Sequence, residues 1–217
     1  MDCCLYFGFT KNKDMTHFDF SKKYILENDF VQLEPLKMKH LEMLSVISND
    51  DQIWKYLFEE GKQKKQLKVF IQKAIQNRKL GKEYPFVIFD KIKNQIAGTT
   101  RLYKVNSKWK TLKIGYTWYG EKFRGTGLNK QCKYLLFEFA FERIGMERIG
   151  FGVHGENIRS VLALKSVGCQ QEGVLRSFLP KMDGQGRADL LLLSILKNEW
   201  LNQIKKELKE QIKNKHQ

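Results

Sequence analysis

TWYGEKFRGTGLNKQCKYLL, residues 117–136, carries the end of a strand, a short glycine-containing loop and the start of a helix in one run. From Leu128 the apolar residues Leu128, Cys132, Leu135, Leu136, Phe139 and Phe141 form a wide helical stripe that faces a core. The first N–H groups of a helix have no partners within it, and the helix dipole adds partial positive charge there. Gly125 and Gly127 remove side chains where an anion must approach those amides, and Lys122 and Arg124 add full charges. A diphosphate fits such a loop. Three other readings stand beside it. A dinucleotide-binding GxGxxG loop needs a third glycine at 130, where Lys130 stands. A Walker A loop needs Lys and then Ser or Thr after its last glycine, and neither follows here. The third is a strand-to-helix turn that binds nothing.

Upstream, TLKIGYTWY (111–119) alternates, with Leu112, Ile114, Tyr116 and Trp118 expected on one face. YPFVIFD (84–90) and QIAGTTRLY (95–103) read as a hairpin turned by KIKN, and VQLEPL (31–36) as a first strand. Between them, helical spacing runs through Leu41, Leu44 and Ile47, then Ile53 to Phe58, then Leu67, Phe70, Ile71, Ala74 and Ile75. Downstream, RIGFGV (148–153) is a strand, Asn157 caps a helix that ends before Gly168, and two strands and a lysine-rich helix from Asn198 follow. The order β-ααα-β-β-β-α-β-α-β-β-α, without repeat or linker, gives one mixed α/β (α+β) domain. Its expected bounds are 29–200, after an extension over 1–28 and before a lysine-rich helix over 201–217.

No stretch reaches the roughly 20 apolar residues that span a bilayer, and MDCCLYFGFT lacks the basic segment of a signal peptide. The four cysteines have no metal-binding spacing, so no metal is expected. Adjacent Cys3 and Cys4 suit free thiols in a loose arm, with lipidation as the alternative. Reduced thiols and no export signal point to the cytoplasm. The net charge of +15 favours anionic partners, but much of it lies on KQKKQLK (62–68) and the tail from Lys205, which read as solvated helix faces. Neither nucleic acid nor membrane is expected as a partner.

Taken together, IGYTWY (114–119), KFRGTGLNKQCKYLLFEFAFE (122–142), ERIGFGV (147–153), ENIRSVLALKSVGCQQEGVLR (156–176) and DGQGRADLLLLSILKNEW (183–200) resemble the GNAT superfamily of N-acetyltransferases, in its RimJ/RimL-type branch. The likeness covers about residues 30 to 200. It implies a mixed, mostly antiparallel sheet flanked by helices and splayed between its fourth and fifth strands. It implies acetyl-CoA as donor and an amine acceptor, a protein N-terminus or a small molecule, acetylated by direct attack in a ternary complex. Dimers are common in the family. The resemblance assigns the coenzyme to Lys122, Phe123, Arg124, Gly125, Thr126, Gly127 and Leu128, with lysine replacing the usual first residue of the loop. Backbone near Thr117 and Trp118 is implied to hold the pantetheine arm, and Asn157 and Ser160 to touch it.

Acetyl transfer needs a base for the ammonium, a stabilised oxyanion and a proton for the leaving thiolate. Glu172, in the EG pair, is the first candidate base, beside the reading of a solvated strand-edge glutamate; Glu121 and Asp189 are weaker. The tyrosine that many family members use as acid falls at Leu164, which leaves Ser160 as candidate, beside an ordinary first-turn serine. Cys169 lacks a neighbouring His and is set aside as a nucleophile; Cys132 reads as core, and His154 as structural. By the resemblance, Trp54, Tyr56, Phe58, Tyr84, Arg101 and Tyr103 come from acceptor-pocket segments, although core packing also accounts for them. The missing tyrosine keeps a second reading open, a non-catalytic acyl-CoA-binding sensor.

Overall fold

Burial alternates along Val31–Pro35, with Val31 and Leu33 sealed and Gln32 and Glu34 half-covered, as a strand with one face on a core requires. In the computed structural model, which describes residues 18–213, this segment belongs to an eight-stranded sheet. The strands are β1 (Leu26–Glu27), β2 (Val31–Pro35), β3 (Glu83–Asp90), β4 (Gln95–Asn106), β5 (Thr111–Tyr119), β6 (Arg148–His154), β7 (Gln170–Pro180) and β8 (Arg187–Leu196). Their spatial order is β1-β2-β3-β4-β5-β6-β8-β7, and every neighbouring pair is antiparallel except β5 and β6, which are parallel.

Helices cover both faces. α1 (Leu41–Ile47), α2 (Asp51–Trp54) and α3 (Lys64–Lys79) bury Leu44, Ile53, Leu67, Phe70, Ile71 and Ala74 against one of them. On the other lie α4 (Leu128–Glu138), which continues through a π turn to Arg143, and α5 (Ile158–Lys165). α6 (Lys197–Glu199), a second π turn and α7 (Lys205–Lys213) close that layer with Trp200, Ile204, Leu208 and Ile212.

The core starts before residue 29. Phe18, Tyr24 and Leu26 are buried in the α4 layer, and the Tyr84 hydroxyl accepts from the Tyr24 amide (2.9 Å) and donates to the Lys22 carbonyl (2.7 Å). The Arg78 guanidinium stacks on Tyr84 and holds the Phe20 carbonyl at 2.8 Å. Residues 1–17 and 214–217, and with them Cys3 and Cys4, lie outside the described residues.

β7 is the last strand of the sheet, with Val174, Leu175 and Phe178 all exposed. Its pairing with β8 breaks between Leu175 and Leu179, where Ser177 has φ +51°. Arg187 donates from Nε to the Ser177 carbonyl (3.0 Å) and from Nη2 to the Phe178 carbonyl (2.7 Å).

Trp200 ties the closing helices to α4: it is fully buried, stacks edge-on against Phe137, and its indole N–H donates to Glu142 Oε1 at 2.7 Å. Trp200→Ala empties this site and should lower the unfolding free energy by about 3–5 kcal/mol in urea titration.

Candidate active site

The parallel ladder between β5 and β6 holds only at Thr111–Arg148, Leu112–Ile149 and Lys113–Gly150. Beyond it the strands part. The cause is local to β5: Thr99 faces Trp118 and Arg101 faces Gly115, so Tyr116 and Thr117 together oppose Thr100. This extra residue is a β-bulge, with Tyr116 at φ +51°, and a bulge bends the strand that carries it. It also corrects the one-face expectation for 112–118. Leu112 and Ile114 pack in the α4 layer, whereas Trp118 packs in the α1–α3 layer and Tyr116 turns to the same side as Arg101. A one-residue insertion reverses the phase of alternation.

Arg101 props the bulge from behind. It is 1% exposed, lies 4.3 Å from the ring centres of both Phe70 and Tyr116, and pairs with Glu83 at 2.9 Å. Its Nε and Nη2 have no hydrogen-bond partner among the described residues. Tyr103 packs edge-on against Tyr116.

The gap opens into a cleft of about 390 Å³. One wall is β5 from Ile114 to Tyr119 and the other is β6 from Phe151 to His154 with the first turns of α5; the glycine loop and α4 close one end, and Gln52 to Leu57 the other. Across that second end, the Tyr56 ring packs at a tilt against His154 and its hydroxyl donates to the Glu156 carbonyl at 3.1 Å. Gly125 has φ +73°, and a Cβ there would meet nothing within 4 Å among the described residues; Gly127, at φ +92°, caps α4. Both positions favour glycine, and the space above Gly125 is open to a ligand. Arg124 fixes the loop by donating to the Tyr119 carbonyl (2.9 Å) and pairing with Asp50, the cap of α2. Among the described residues, four cations, Arg124, Lys130, Lys133 and Arg159, line the cleft, and no Asp or Glu does. The nearby carboxylates are engaged elsewhere: Asp50 with Arg124, Glu59 with Lys73 and Glu83 with Arg101. Glycine backbone and positive charge suit a polyanion.

Of the residues singled out in the sequence, Thr117, Trp118, Phe123, Arg124, Gly125, Gly127, Asn157 and Ser160 line this cleft. Asn157 caps α5 by accepting from the Ser160 amide at 3.1 Å, while the Ser160 hydroxyl makes no hydrogen bond among the described residues. Lys122 does not belong with them. Its ammonium donates to Gln95 and lies over the Phe123 ring, which draws it away from the cleft. Thr126 is turned to the Phe123 carbonyl (2.9 Å), and Leu128 is buried under the loop.

Glu172 is also outside the cleft. Arg148 grips it in a two-pronged ion pair, the Ser194 hydroxyl donates to it at 2.7 Å, and the Arg148 guanidinium holds its carboxyl down to about 2. Both residues sit near the paired end of β6, away from the parting. A carboxylate so strongly ionised is a poor proton acceptor, which weighs against the expectation of Glu172 as base. His154 is saturated too, with Nε2 donating to the Pro180 carbonyl (2.9 Å) and Nδ1 accepting from the Glu156 amide (3.2 Å). Burial pushes the Cys132 and Cys169 thiols up to about 12, which leaves both inert. Asp189 fixes a strand by accepting from the Ser177 amide at 2.8 Å. Sequence reasoning missed Tyr119, Asn129, Lys130, Lys133 and Arg159. Lys133 alone left a trace, as a lysine between the core positions Cys132 and Leu135.

The acetyltransferase (GNAT) domain family matches residues 31–170. The chain belongs to the GNAT acetyltransferase family. It is therefore an acetyl-CoA-dependent acyltransferase. The Bacillus subtilis protein named "Probable N-acetyltransferase YjcK" is 28% identical over 136 residues, 62% of this chain and 70% of its own length. A GCN5-related N-acetyltransferase from Brucella melitensis superposes with a TM-score of 0.79 at 24% identity, covering 88% of this chain and 86% of its own. RimJ of Mycobacterium smegmatis, solved with CoA-disulfide, gives 0.70 at 22% identity over 86% and 92%. These two solved structures share the fold of this chain. The parting expected between the fourth and fifth strands lies here between β5 and β6, because the short β1 precedes the strands read from the sequence. Among the described residues no helix is long and apolar enough to cross a membrane, and no three His, Cys, Asp or Glu side chains converge as a metal site.

Glu172→Gln should leave turnover unchanged and cost stability instead. Its folded-state pKa is depressed to about 2, so its contribution is present above the ordinary carboxylate value and disappears as pH falls toward 2. Unfolding curves of the wild type and the variant should differ by up to about 1 kcal/mol at pH 6, as for a half-exposed pair, and converge near pH 2.

Proposed function

We propose that the cleft binds acetyl-CoA, with the diphosphate on the glycine loop and the pantetheine arm between β5 and β6, and that the enzyme acetylates a neutral primary amine by direct attack. The carrying observation is the wall itself, cationic at the loop and without a carboxylate at the parting. Arg124, Lys130 and Arg159 would offset phosphate charge, and the backbone at Thr117 and Trp118 would hold the thioester carbonyl. The amine nitrogen bonds to the acetyl carbon, the carbon–sulfur bond breaks, and the proton that the nitrogen sheds passes to the departing thiolate. Ser160, whose hydroxyl is free on the cleft wall, is the donor or relay for that proton. Asn157 sets its position.

With no free carboxylate or imidazole in the wall, the acceptor must arrive uncharged or lose its proton to water. This favours amines of low pKa. At pH 7.5 roughly a third of a peptide α-amine, but roughly one in a thousand of a lysine or polyamine nitrogen, is neutral. A protein or peptide N-terminus is therefore the proposed acceptor, ahead of small polyamines. RimL, a ribosomal L7/L12 alpha-N-protein acetyltransferase, is among the structures that share the fold, with a TM-score of 0.70 at 18% identity. The proposal is of a cytoplasmic enzyme, alone or as a homodimer.

Two measurements test it. Gly125→Val should weaken acetyl-CoA binding at least tenfold in calorimetric titration, because branched side-chain atoms enter the open space over the loop; unchanged affinity would refute the loop assignment. In a thiol-release assay, kcat/KM should rise with pH up to the acceptor's own pKa. Peptides with a free α-amine should exceed the same peptides blocked there but bearing free lysine by about 300-fold at pH 7.5, as the neutral fractions dictate. Tight binding of acetyl-CoA without turnover on any amine would instead support a sensor.

A further inference from the structure

Lys133 stands among apolar neighbours on α4, only 4% exposed, yet it lines the cleft. Its ammonium lies 5.4 Å from the centre of the Phe151 ring on β6 and, among the described residues, makes no hydrogen bond or ion pair. The other buried charged side chains and imidazoles have partners. Arg101 has Glu83, His40 has Glu34, Asp90 accepts from the Ile92 and Lys93 amides, and His154 is held on both nitrogens. The polar groups facing Lys133 are the thiols of Cys132 on its own helix and Cys169 before β7, both neutral because burial raises them to about 12. Burial pushes the lysine itself down to about 8.

A buried ammonium without a counter-charge is a standing cost to the fold. It is tolerated where the missing partner arrives with a ligand, and Lys133 lines the cleft. Lys133 lies six residues beyond Gly127, about 9 Å along the helix axis. Helical side chains lean back toward the N-terminus, which directs its reach toward the glycine loop. Lys130 lines the same side of the cleft one turn nearer the loop.

We propose that Lys133 is a phosphate-recognition residue, whose ammonium at the cleft floor pairs with an oxygen anion of the diphosphate arm of the bound acyl carrier. This rests on the acetyl-CoA reading and adds to it a site on the helix wall and a coupling to protons. Above pH 8 the free enzyme holds Lys133 largely neutral, pairing with phosphate restores its charge, and binding takes up a proton from solvent. Affinity then falls as pH rises past 8.

Calorimetric titration of the full chain with CoA and with pantetheine, at pH 8.5 in two buffers of different ionisation enthalpy, tests this. The wild type should take up a fraction of a proton with CoA. Lys133→Met should take up none and bind CoA at least tenfold more weakly, while pantetheine affinity changes less than threefold; Lys133→Arg should recover most of the CoA affinity without the proton. Thermal unfolding supplies a second readout, in which ligand-free Lys133→Met melts no lower than the wild type but is stabilised less by CoA. Unchanged CoA affinity in Lys133→Met, an equal loss for CoA and pantetheine, or wild-type binding with no proton uptake each overturns the assignment while the acetyl-CoA reading stands. Failure of the wild type to bind CoA at all sinks that reading instead.

Discussion

Three residue pairs of parallel ladder hold β5 to β6, and past Lys113 and Gly150 no ladder joins them. Inside a sheet such a break leaves backbone donors and acceptors facing each other across a space too wide for hydrogen bonds, and polar groups of that kind demand partners. The bulge at Tyr116 creates the break and Arg101, wedged between Phe70 and Tyr116, holds it in place. The cleft, its two walls and the position of the glycine loop at one end all follow from this bend. At the closed end, the ion pair of Arg148 with Glu172 fastens β6 to β7, so the parting starts from a rigid root.

Charge is distributed to match. Part of the overall +15 lies on solvated helix faces, but Arg124, Lys130, Lys133 and Arg159 gather around one cleft with, among the described residues, no acidic residue in its wall. Positive surfaces draw polyanions by long-range attraction, whereas a buried, desolvated cation discriminates among them at contact. The same arrangement leaves the chemistry without an internal proton acceptor, which ties the reaction to the state of the incoming nitrogen.

Much of this was legible in the chain. The run 117–136 announced its strand, loop and helix because glycines at positive φ and a core-facing stripe leave direct marks in sequence. Asn157 was readable as a cap for the same reason, since capping is local. Three things were not. The bulge at Tyr116 has no compositional signal, as the residue is an ordinary strand former whose left-handed backbone is imposed by the β4 register. Glu172 was read as a candidate base from its EG pair; its ion-pair partner lies 24 residues away, and no local pattern predicts that meeting. Lys122 looked like a cofactor residue because charge can be read from sequence while direction cannot; Gln95 turns it aside.

β7 presents exposed valine, leucine and phenylalanine at the end of the sheet, a combination that invites added strands. The kink at Ser177 divides it into two short straight runs, and Arg187 already occupies the carbonyls of Ser177 and Phe178. A foreign strand laid along that edge would lose register at the kink. The margin of the molecule is thus self-limiting, and its apolar side chains stay available for contacts of side-chain type without becoming a template for fibrous growth.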